Sequence, residues 1–226
     1  MSSIKIALVG FGLIGKKHAA IVQNNKNVEL VGVVENDKSL INNKNFNFRF
    51  FNTINELLKN EKIDGAIIAS PTPLHYEHAK EILEKEIPIL IEKPISNTSK
   101  EAYELIELAK KKKTKILVGH HRRHNNLIKE AKKIISDDLI GKIRSVSTVC
   151  WFYKPNEYFD KASWRKKVGA GPVSINLIHD VDLLRYLFGE VKEVFATTSP
   201  SRRGYQNEDL ASVILKFDSD VIATMS

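Results

Sequence analysis

The first half of the chain alternates short apolar runs with helical patterns. Five runs have the length and the branched side chains of strands buried on both faces, at 4–9, 30–34, 66–69, 89–91 and 116–118. Between the runs, apolar residues recur at the helical spacing i, i+3, i+4, i+7, as at Ala102, Leu105, Ile106 and Ala109. This order of elements predicts a doubly wound parallel sheet with helices on both faces.

The pattern changes near residue 120. We predict a helix over about 125–136, a long strand over 143–152, and a second helix after Gly171-Pro172, with an apolar face of Ile175, Ile178, Leu184 and Leu187. Three strand candidates follow at 191–198, 210–217 and 221–225, and their short connections are typical of an antiparallel sheet. The predicted organisation is therefore an α/β domain over 1–120 and an α+β domain with an open, largely antiparallel sheet over 121–226.

Composition narrows the class of protein. Hydrophobic residues make up 42% and charged residues 27% of the 226 positions, as in ordinary globular proteins. No apolar run approaches the roughly 18 residues of a membrane span, and the N-terminal residues lack the pattern of a signal peptide. We therefore expect a cytoplasmic protein without a membrane partner. The single cysteine, Cys150, excludes an internal disulfide, and we predict no metal site.

A formal charge of +8 raises the possibility of a nucleic-acid partner. The densest basic run, Lys110 to Lys113, lies where a helix is predicted to end, and cations there suit the negative end of the helix dipole. No aromatic residues are interleaved with this run. We therefore predict no nucleic-acid partner.

A glycine-rich motif lies between the first strand and the first helix, with the sequence Gly10-Phe11-Gly12-Leu13-Ile14-Gly15. It fits the pattern G-x-G-x-x-G in the required context. Gly10 permits a tight turn, Gly12 lets a diphosphate approach the backbone, and Gly15 lets helix and strand pack closely. The unpaired N–H groups of the helix start would bind the phosphates, so the motif predicts a Rossmann dinucleotide-binding domain.

An acidic residue at the end of the next strand supports this prediction. Glu35 follows Gly15 by 20 positions, which is the spacing of a carboxylate that binds the ribose hydroxyls. Such a carboxylate repels a 2′-phosphate, so we expect NAD as the cofactor. The alternative is a solvated acid at a strand end, and Lys38 leaves NADP open.

Two further segments follow predicted strands. The segment Ser70-Pro71-Thr72-Pro73 comes at the carboxyl end of a strand, where ligands of open α/β sheets bind, although it is also suited to a simple connection. In Glu92-Lys93-Pro94, the proline keeps Lys93 out of the helical region and so restricts where its ammonium points. A lysine that is partly desolvated beside a cofactor can exchange protons near neutrality.

Together with these motifs, four later segments carry a resemblance that extends over nearly the whole chain: Gly119-His120-His121-Arg122-Arg123, Trp164-Arg165, Gly169-Ala170-Gly171-Pro172 and His179-Asp180-Val181-Asp182. The chain resembles the Gfo/Idh/MocA oxidoreductase family. The resemblance implies hydride transfer between NAD(P) and a secondary alcohol of a sugar, cyclitol or related polyol. It also implies a second domain that binds substrate, and we expect a homo-oligomer formed through its sheet.

The resemblance implies roles for particular residues. Lys93 and His179 would be catalytic, with His179 as the proton acceptor. The expected cofactor contacts are Gly10, Phe11, Gly12, Leu13, Ile14, Gly15, Glu35, Ser70, Pro71, Thr72, His75, Glu92 and Lys93. The expected substrate contacts are Lys93, His120, Arg122, Trp164, Arg165, Asn176 and His179. His120 and His121 would face opposite ways in an extended segment.

The chain departs from the family pattern in two respects. Many relatives have an aspartate four residues before the histidine, where this chain has Ile175, and the amide of the adjacent Asn176 cannot act as a base. Relatives also usually continue further, and the last strand candidate runs to Ser226, so we expect a sheet that is incomplete or completed by another subunit. A catalytically weakened or truncated dinucleotide-binding protein is the alternative.

Overall fold

A six-stranded parallel sheet forms the centre of the N-terminal unit, which comprises residues 1–119. The structure is a computed structural model that describes residues 3–41, 46 and 48–226. The strand order is β3-β2-β1-β4-β5-β6, and all neighbours are parallel. The strands are β1 (Ile4–Val9), β2 (Val28–Val34), β3 (Arg49–Phe51), β4 (Gly65–Ile68), β5 (Ile89–Ile91) and β6 (Ile116–Val118).

Five described helices belong to this unit: α1 (Leu13–Gln23), α2 (Lys38–Ile41), α3 (Ile54–Asn60), α4 (His75–Leu83) and α5 (Ser99–Lys111). Side chains define where two of them begin. The Thr53 hydroxyl accepts the Glu56 N–H at the start of α3. At the start of α5, Thr98 and Glu101 each accept the other's backbone N–H and so form a capping box.

The buried residues of the sheet alternate between its two faces. In β1, Leu8 packs into one apolar cluster with residues of α1, whereas Ala7 and Val9 pack into the other with residues of α3, α4 and α5. Both faces are therefore covered, which confirms the predicted doubly wound α/β fold. The short strand β3 and the helix α3 were missing from the sequence prediction.

The glycine-rich loop is anchored by aromatic packing. Phe11 is almost fully buried, and its ring meets those of Phe46, Phe48 and Phe50 edge-on at centroid distances of 5.1–5.7 Å. Edge-to-face pairs of this kind contribute beyond the burial of their area. The Phe11 side chain is thus part of the hydrophobic core, whereas its backbone is part of the glycine-rich loop.

The second unit, residues 120–226, contains a four-stranded sheet in the order β7-β10-β9-β8. Its strands are β7 (Ser145–Thr148), β8 (Val191–Pro200), β9 (Glu208–Phe217) and β10 (Ile222–Met225). The pairs β8–β9 and β9–β10 are antiparallel, whereas β7 pairs with β10 in parallel. The sheet is therefore mixed and largely antiparallel. The strand predicted over 143–152 is too long, because β7 pairs with β10 over only four residues.

The helices of this unit are α6 (Asn126–Ser136), α7 (Asn156–Asp160) and α8 (Ile178–Phe188). A π-helical turn, Val173–Leu177, precedes α8 and shifts the register of its faces. Leu177 and Leu184 are buried against β9 and β10. Of the predicted apolar face, Leu184 is buried, and Ile175, Ile178 and Leu187 are partly buried.

The longest helix among the described residues is α5, with 13 residues. No helix in the described ranges has both the length and the hydropathy of a membrane span. Within those same ranges, no three His, Cys, Asp or Glu side chains are grouped so that they could hold a metal ion.

Candidate dinucleotide site and catalytic residues

The glycine-rich loop follows β1 at the point where the strand order reverses, since β1 pairs with β2 on one side and β4 on the other. Ligands of open α/β sheets bind at this switch point. Gly10 has φ +93°, and a Cβ atom on it would lie 2.6 Å from the Cα of Ser70. The loops that follow β1 and β4 therefore touch, and only glycine fits between them.

The N-terminus of α1 is open. Gly12 is the N-cap residue of α1, and no side chain at this position caps the N–H groups of the first helical turn. A Cβ atom on Gly12 would have nothing within 4 Å, and the Leu13 side chain is 74% exposed. Helix N–H groups beside empty space suit an anion, so these residues fit the diphosphate of a dinucleotide.

Glu35 holds the end of β2 to the glycine-rich loop. One carboxylate oxygen accepts the Phe11 N–H at 2.8 Å, and the other accepts the N–H groups of Asn36 and Asp37 at 3.0 and 2.9 Å. These bonds fix the carboxylate beside the loop. A carboxylate has about four acceptor positions, so capacity remains for a ribose hydroxyl.

The Glu92 carboxylate lies in a polar network that joins distant segments. It is 2.8 Å from Nε2 of His18 on α1, and it accepts the Lys93 backbone N–H at 3.3 Å. Burial acts to raise the pKa of Glu92, but His18 and Lys93 outweigh this effect and hold the pKa below its usual value. The Glu92 carboxylate thus ties α1 to the Lys93 turn, and its contact with the cofactor stays a prediction.

His75 is enclosed, with 1% of its surface exposed. Its Nδ1 lies 2.7 Å from the carbonyl oxygen of Pro94, and its Nε2 lies 2.9 Å from that of Ser70. An enclosed ring cannot reach a bound cofactor, so the direct contact predicted for His75 is wrong. The side chain instead joins the segment after β4 to the segment after Lys93.

The segment after β4 forms a 3₁₀ turn, Thr72–Leu74, that leads into α4. Pro71 is exposed and Thr72 is partly exposed at the carboxyl end of the strand. Ser70 is buried, and its hydroxyl is 3.0 Å from Nδ1 of His78. Of this segment, Pro71 and Thr72 remain candidates for cofactor contacts.

In the second unit, His179 lies in the first turn of α8. Its ring is partly buried and packs edge-on against that of His121, with centroids 4.9 Å apart. His121 begins a 3₁₀ turn that ends at His124, so the expectation that His120 and His121 face opposite ways, which holds for an extended segment, does not apply. This turn gives His121 its place beside α8.

The two arginines of that turn bind carboxylates of α8. Arg122 is 2.5 Å from Asp180, and Arg123 is 2.7 Å from Asp182. Both carboxylates are largely buried and therefore need a charged or hydrogen-bonding partner. The substrate contact predicted for Arg122 thus competes with a structural ion pair, which holds the helix that carries His179.

The other expected substrate residues of this unit are Trp164, Arg165 and Asn176. Arg165 donates to the carbonyl of Tyr158 at 2.6 Å and stacks on its ring at 4.2 Å, next to Trp164 in a 3₁₀ turn. Asn176 accepts a hydrogen bond from Lys154 at 2.6 Å. Lys154 and Asn176 line a cavity of about 530 Å³ within this unit.

Sequence reasoning missed Lys154 and gave His18 no role beyond the surface or packing, whereas the structure places both beside candidate site residues. His18 lies on the helix of the glycine-rich motif, one turn after Gly15, and that position was the available signal. Its pairing with Glu92 spans 74 positions of sequence, which no local pattern reveals.

Two family models match the chain. Residues 4–120 match the oxidoreductase family with an NAD-binding Rossmann fold, and residues 128–226 match the GFO/IDH/MocA C-terminal domain. The first match confirms the predicted family and the predicted NAD-type cofactor.

Among curated relatives, the chain is 30% identical over 194 residues to glucose-6-phosphate 3-dehydrogenase of Bacillus subtilis, which covers 81% of this chain and 53% of that protein. It is 26% identical over 221 residues to the rhizopine catabolism protein MocA of Rhizobium meliloti, which covers 96% of this chain and 68% of that protein. The chain thus spans about half to two thirds of the length of these relatives.

The fold matches solved structures. WlbA dehydrogenase from Chromobacterium violaceum, in complex with NADH and UDP-GlcNAcA, superposes with a TM-score of 0.93 at 26% identity, covering 100% of this chain and 67% of that one. WlbA from Bordetella pertussis, with the same two ligands, gives 0.92 at 25% identity, covering 99% and 70%. On both family matches, the chain belongs to the GFO/IDH/MocA family of oxidoreductases.

Proposed function

We propose that the chain carries the coenzyme-binding and catalytic parts of an NAD-dependent dehydrogenase that acts on a secondary alcohol of a sugar or cyclitol. The observation that carries the proposal is the open N-terminus of α1 beside Gly12, with the Glu35 carboxylate fixed next to the same loop. One element suits a diphosphate and the other a ribose.

In this proposal, the backbone N–H groups at the start of α1 bind the diphosphate, and Glu35 accepts hydrogen bonds from the ribose hydroxyls. A 2′-phosphate would add negative charge beside the carboxylate, so NAD binds more tightly than NADP. Pro71 and Thr72 border the same switch point and complete the coenzyme contacts.

Lys93 and His179 divide the catalytic work. When bound, the nicotinamide supplies the hydride acceptor. The His179 ring takes the proton of the substrate hydroxyl, a task suited to the ordinary pKa of histidine. In the N-terminal unit, the Lys93 ammonium is suited to stabilise negative charge on a substrate oxygen. Because His179 is the proposed base, the reaction does not require an aspartate at the position of Ile175.

The proposed substrate class is supported by relatives that are named for, or bound to, different molecules, all of which contain a ring with several hydroxyl groups. The name of the Bacillus subtilis relative specifies glucose 6-phosphate, the WlbA structures hold a nucleotide sugar, and another relative is named scyllo-inositol 2-dehydrogenase. We assign a polyhydroxylated six-membered ring to this chain as well. Asn176 and Lys154 supply polar groups for hydroxyl or anionic substituents.

We also propose that copies of the chain associate through the uncovered face of the second sheet. Phe195 and Ile214 are neighbours across β8 and β9 on this face, and they are 62% and 45% exposed. Large apolar side chains that lie together on a sheet surface mark an interaction site. Self-association of one face generates a two-fold dimer.

The proposal is tested by incubating the protein with NAD and a panel of phosphorylated sugars, uronic acids, nucleotide sugars and inositols. NADH formation is followed by absorbance and products by mass spectrometry. A relative from Escherichia coli, 25% identical, is named a hydratase, so product mass also separates loss of two hydrogens from gain or loss of water. We expect a product two mass units lighter than its substrate.

The matched variants are Lys93→Ala and, as a control, Lys59→Ala on the exposed face of α3. We expect Lys93→Ala to lower kcat by about 100-fold or more, since removal of one transition-state donor has effects of this order, and to leave NADH affinity intact. Equal turnover by the two variants would remove Lys93 from the mechanism. NADH binding without turnover on any substrate of the panel would support the catalytically weakened alternative.

A further inference from the structure

His75 is the first residue of α4, and its ring lies between two backbone carbonyls that belong to different functional segments. The Ser70 carbonyl ends the segment that touches Gly10, and the Pro94 carbonyl follows Lys93. The ring therefore bridges the candidate coenzyme loop and the candidate catalytic lysine.

The two contacts are not equivalent. A neutral imidazole has one N–H group, so it can donate to only one of two carbonyl oxygens at a time. The contact from Nδ1 to Pro94 is the shorter, at 2.7 Å against 2.9 Å for the contact from Nε2 to Ser70. Burial lowers the pKa of His75 despite the opposing effect of both carbonyls, which favours the neutral ring.

Charged groups surround this bridge on several sides. Glu92 and Lys93 act on the ring from the segment after β5, with opposite signs, and burial and the nearby His75 together lower the pKa of His78 on the same helix. Glu92 is itself bound to His18. The position of the Lys93 backbone is thus held at Glu92 on one side and at Pro94 on the other.

We propose that His75 is a positioning residue for the reaction, which holds the Lys93–Pro94 segment through a hydrogen bond from Nδ1–H to the Pro94 carbonyl. The proposal rests on the function proposed above for Lys93. Fixing both neighbours of a catalytic residue places its side chain reproducibly, and small displacements of a catalytic group lower rates strongly. Because the ring also contacts the Ser70 carbonyl, a displacement of the Ser70 segment would also move the Lys93–Pro94 segment.

Two amide substitutions separate the two contacts. In His75→Asn, the amide nitrogen can replace Nδ1 and keep the bond to Pro94. In His75→Gln, it can replace Nε2 and keep the bond to Ser70. His75→Leu keeps neither bond but retains much of the volume. His78→Leu is the control on the same helix, because His78 contacts the Ser70 hydroxyl through Nδ1.

We expect all four variants to bind NADH within about threefold of wild type. With the panel substrate that the wild-type protein turns over, His75→Asn and His78→Leu should keep kcat within about threefold. His75→Gln should lower kcat by about 10-fold or more without a matching change in KM, because ground-state binding is untouched. If His75→Leu fails to fold, the two amide variants still decide the outcome.

A second measurement does not depend on turnover. The 15N shift of the Lys93 amide and the 13C shift of the Pro94 carbonyl should move in His75→Gln and stay near wild type in His75→Asn. The proposal is overturned if both amide variants give the same shifts, or if His75→Gln retains wild-type kcat. Absence of NADH binding by the wild-type protein would instead overturn the proposed function and leave the NMR comparison intact.

Discussion

At the scale of single residues, the Glu35 carboxylate has an observed structural role and a proposed binding role. It receives three backbone N–H groups, one of them from the glycine-rich loop, and we propose that it also binds the ribose. Its structural bonds orient the carboxylate before any ligand arrives. A preorganised acceptor costs less to use in binding than one that must be ordered.

Glu35→Gln should therefore weaken NADH binding by about 10-fold or more, since a hydrogen bond to a charged group contributes about 1.5–3 kcal/mol. The ratio of NADPH to NADH affinity should rise, because the repulsive charge is gone. Fluorescence titration with both coenzymes measures this. Glu29→Gln, at an exposed position of the same strand, is the control, and equal affinities in the two variants would exclude Glu35 from the site.

The Glu92–His18 pair predicts a pH dependence of stability. The folded-state pKa of Glu92 is below its usual value of 4.5, so its ionised form stabilises the fold above that pH, and the contribution is lost as pH falls through the folded-state pKa. Glu92→Gln should lower the free energy of unfolding by about 1–3 kcal/mol near neutral pH. The difference from wild type should shrink towards pH 3.

Urea unfolding of wild type and Glu92→Gln across this range provides the measurement. Glu107→Gln is the control, because its pair with Lys110 is exposed and such pairs contribute little at any pH. A difference between wild type and Glu92→Gln that stays constant down to pH 3 would contradict a stabilising role of the ionised Glu92 carboxylate.

The sequence reveals residues whose spacing is local and misses those joined only by the fold. Gly10, Gly12 and Glu35 could be predicted, because the motif and its acid lie within one strand–helix–strand unit. The roles of His18 and His75 could not, because their partners Glu92 and Pro94 lie 74 and 19 positions away. A sequence pattern also cannot show that a side chain such as Arg122 is occupied by a buried acid.

At the scale of elements, the sequence predicts long periodic segments better than short ones. The central strands and α5 were predictable from apolar runs and helical spacing. Strand β3 has three residues at a sheet edge, and the length of β7 depends on its pairing with β10. The π-helical turn before α8 changes which residues face the core, and the regular spacing of an α-helix cannot predict this change.

Substitutions of two glycines in the glycine-rich loop are expected to affect different properties, one the stability of the fold and the other the binding of NADH. Gly10→Ala introduces a side chain at positive φ against the Ser70 backbone, so it should destabilise the N-terminal unit by more than about 2 kcal/mol. Gly12→Ala places its Cβ in open space, so stability should stay within about 0.5 kcal/mol. The added methyl group should nevertheless obstruct the diphosphate and weaken NADH binding by at least 10-fold.

Thermal unfolding and NADH titration of both variants test this pair. Wild-type NADH affinity in Gly12→Ala would show that the open space beside α1 is not the diphosphate site. Wild-type stability in Gly10→Ala would show that the close approach to Ser70 is not required for folding.

At the scale of the whole molecule, the change of pattern near residue 120 corresponds to two units with different sheets. The parallel sheet follows from strands that alternate with helices, and the largely antiparallel sheet from strands with short connections. The parallel pairing of β7 with β10 joins segments far apart in sequence, so adjacency along the chain could not predict it.

The proposed association through the second sheet predicts that Ile214→Lys reduces the oligomer to monomers, because burying an unpaired ammonium in an interface is costly. Light scattering coupled to size-exclusion chromatography measures the mass. Leu127→Lys is the control, since this residue lies on the exposed side of α6 and is 79% exposed. A wild-type mass that is already monomeric, or an oligomer retained in Ile214→Lys, would contradict the assigned face.

The central claim is that a nicotinamide dinucleotide binds at the glycine-rich loop. The most direct test is a calorimetric titration of the folded chain with NADH and, separately, with NADPH. The account predicts saturable binding of one NADH per chain and weaker binding of NADPH. Folded protein that takes up neither coenzyme would contradict it.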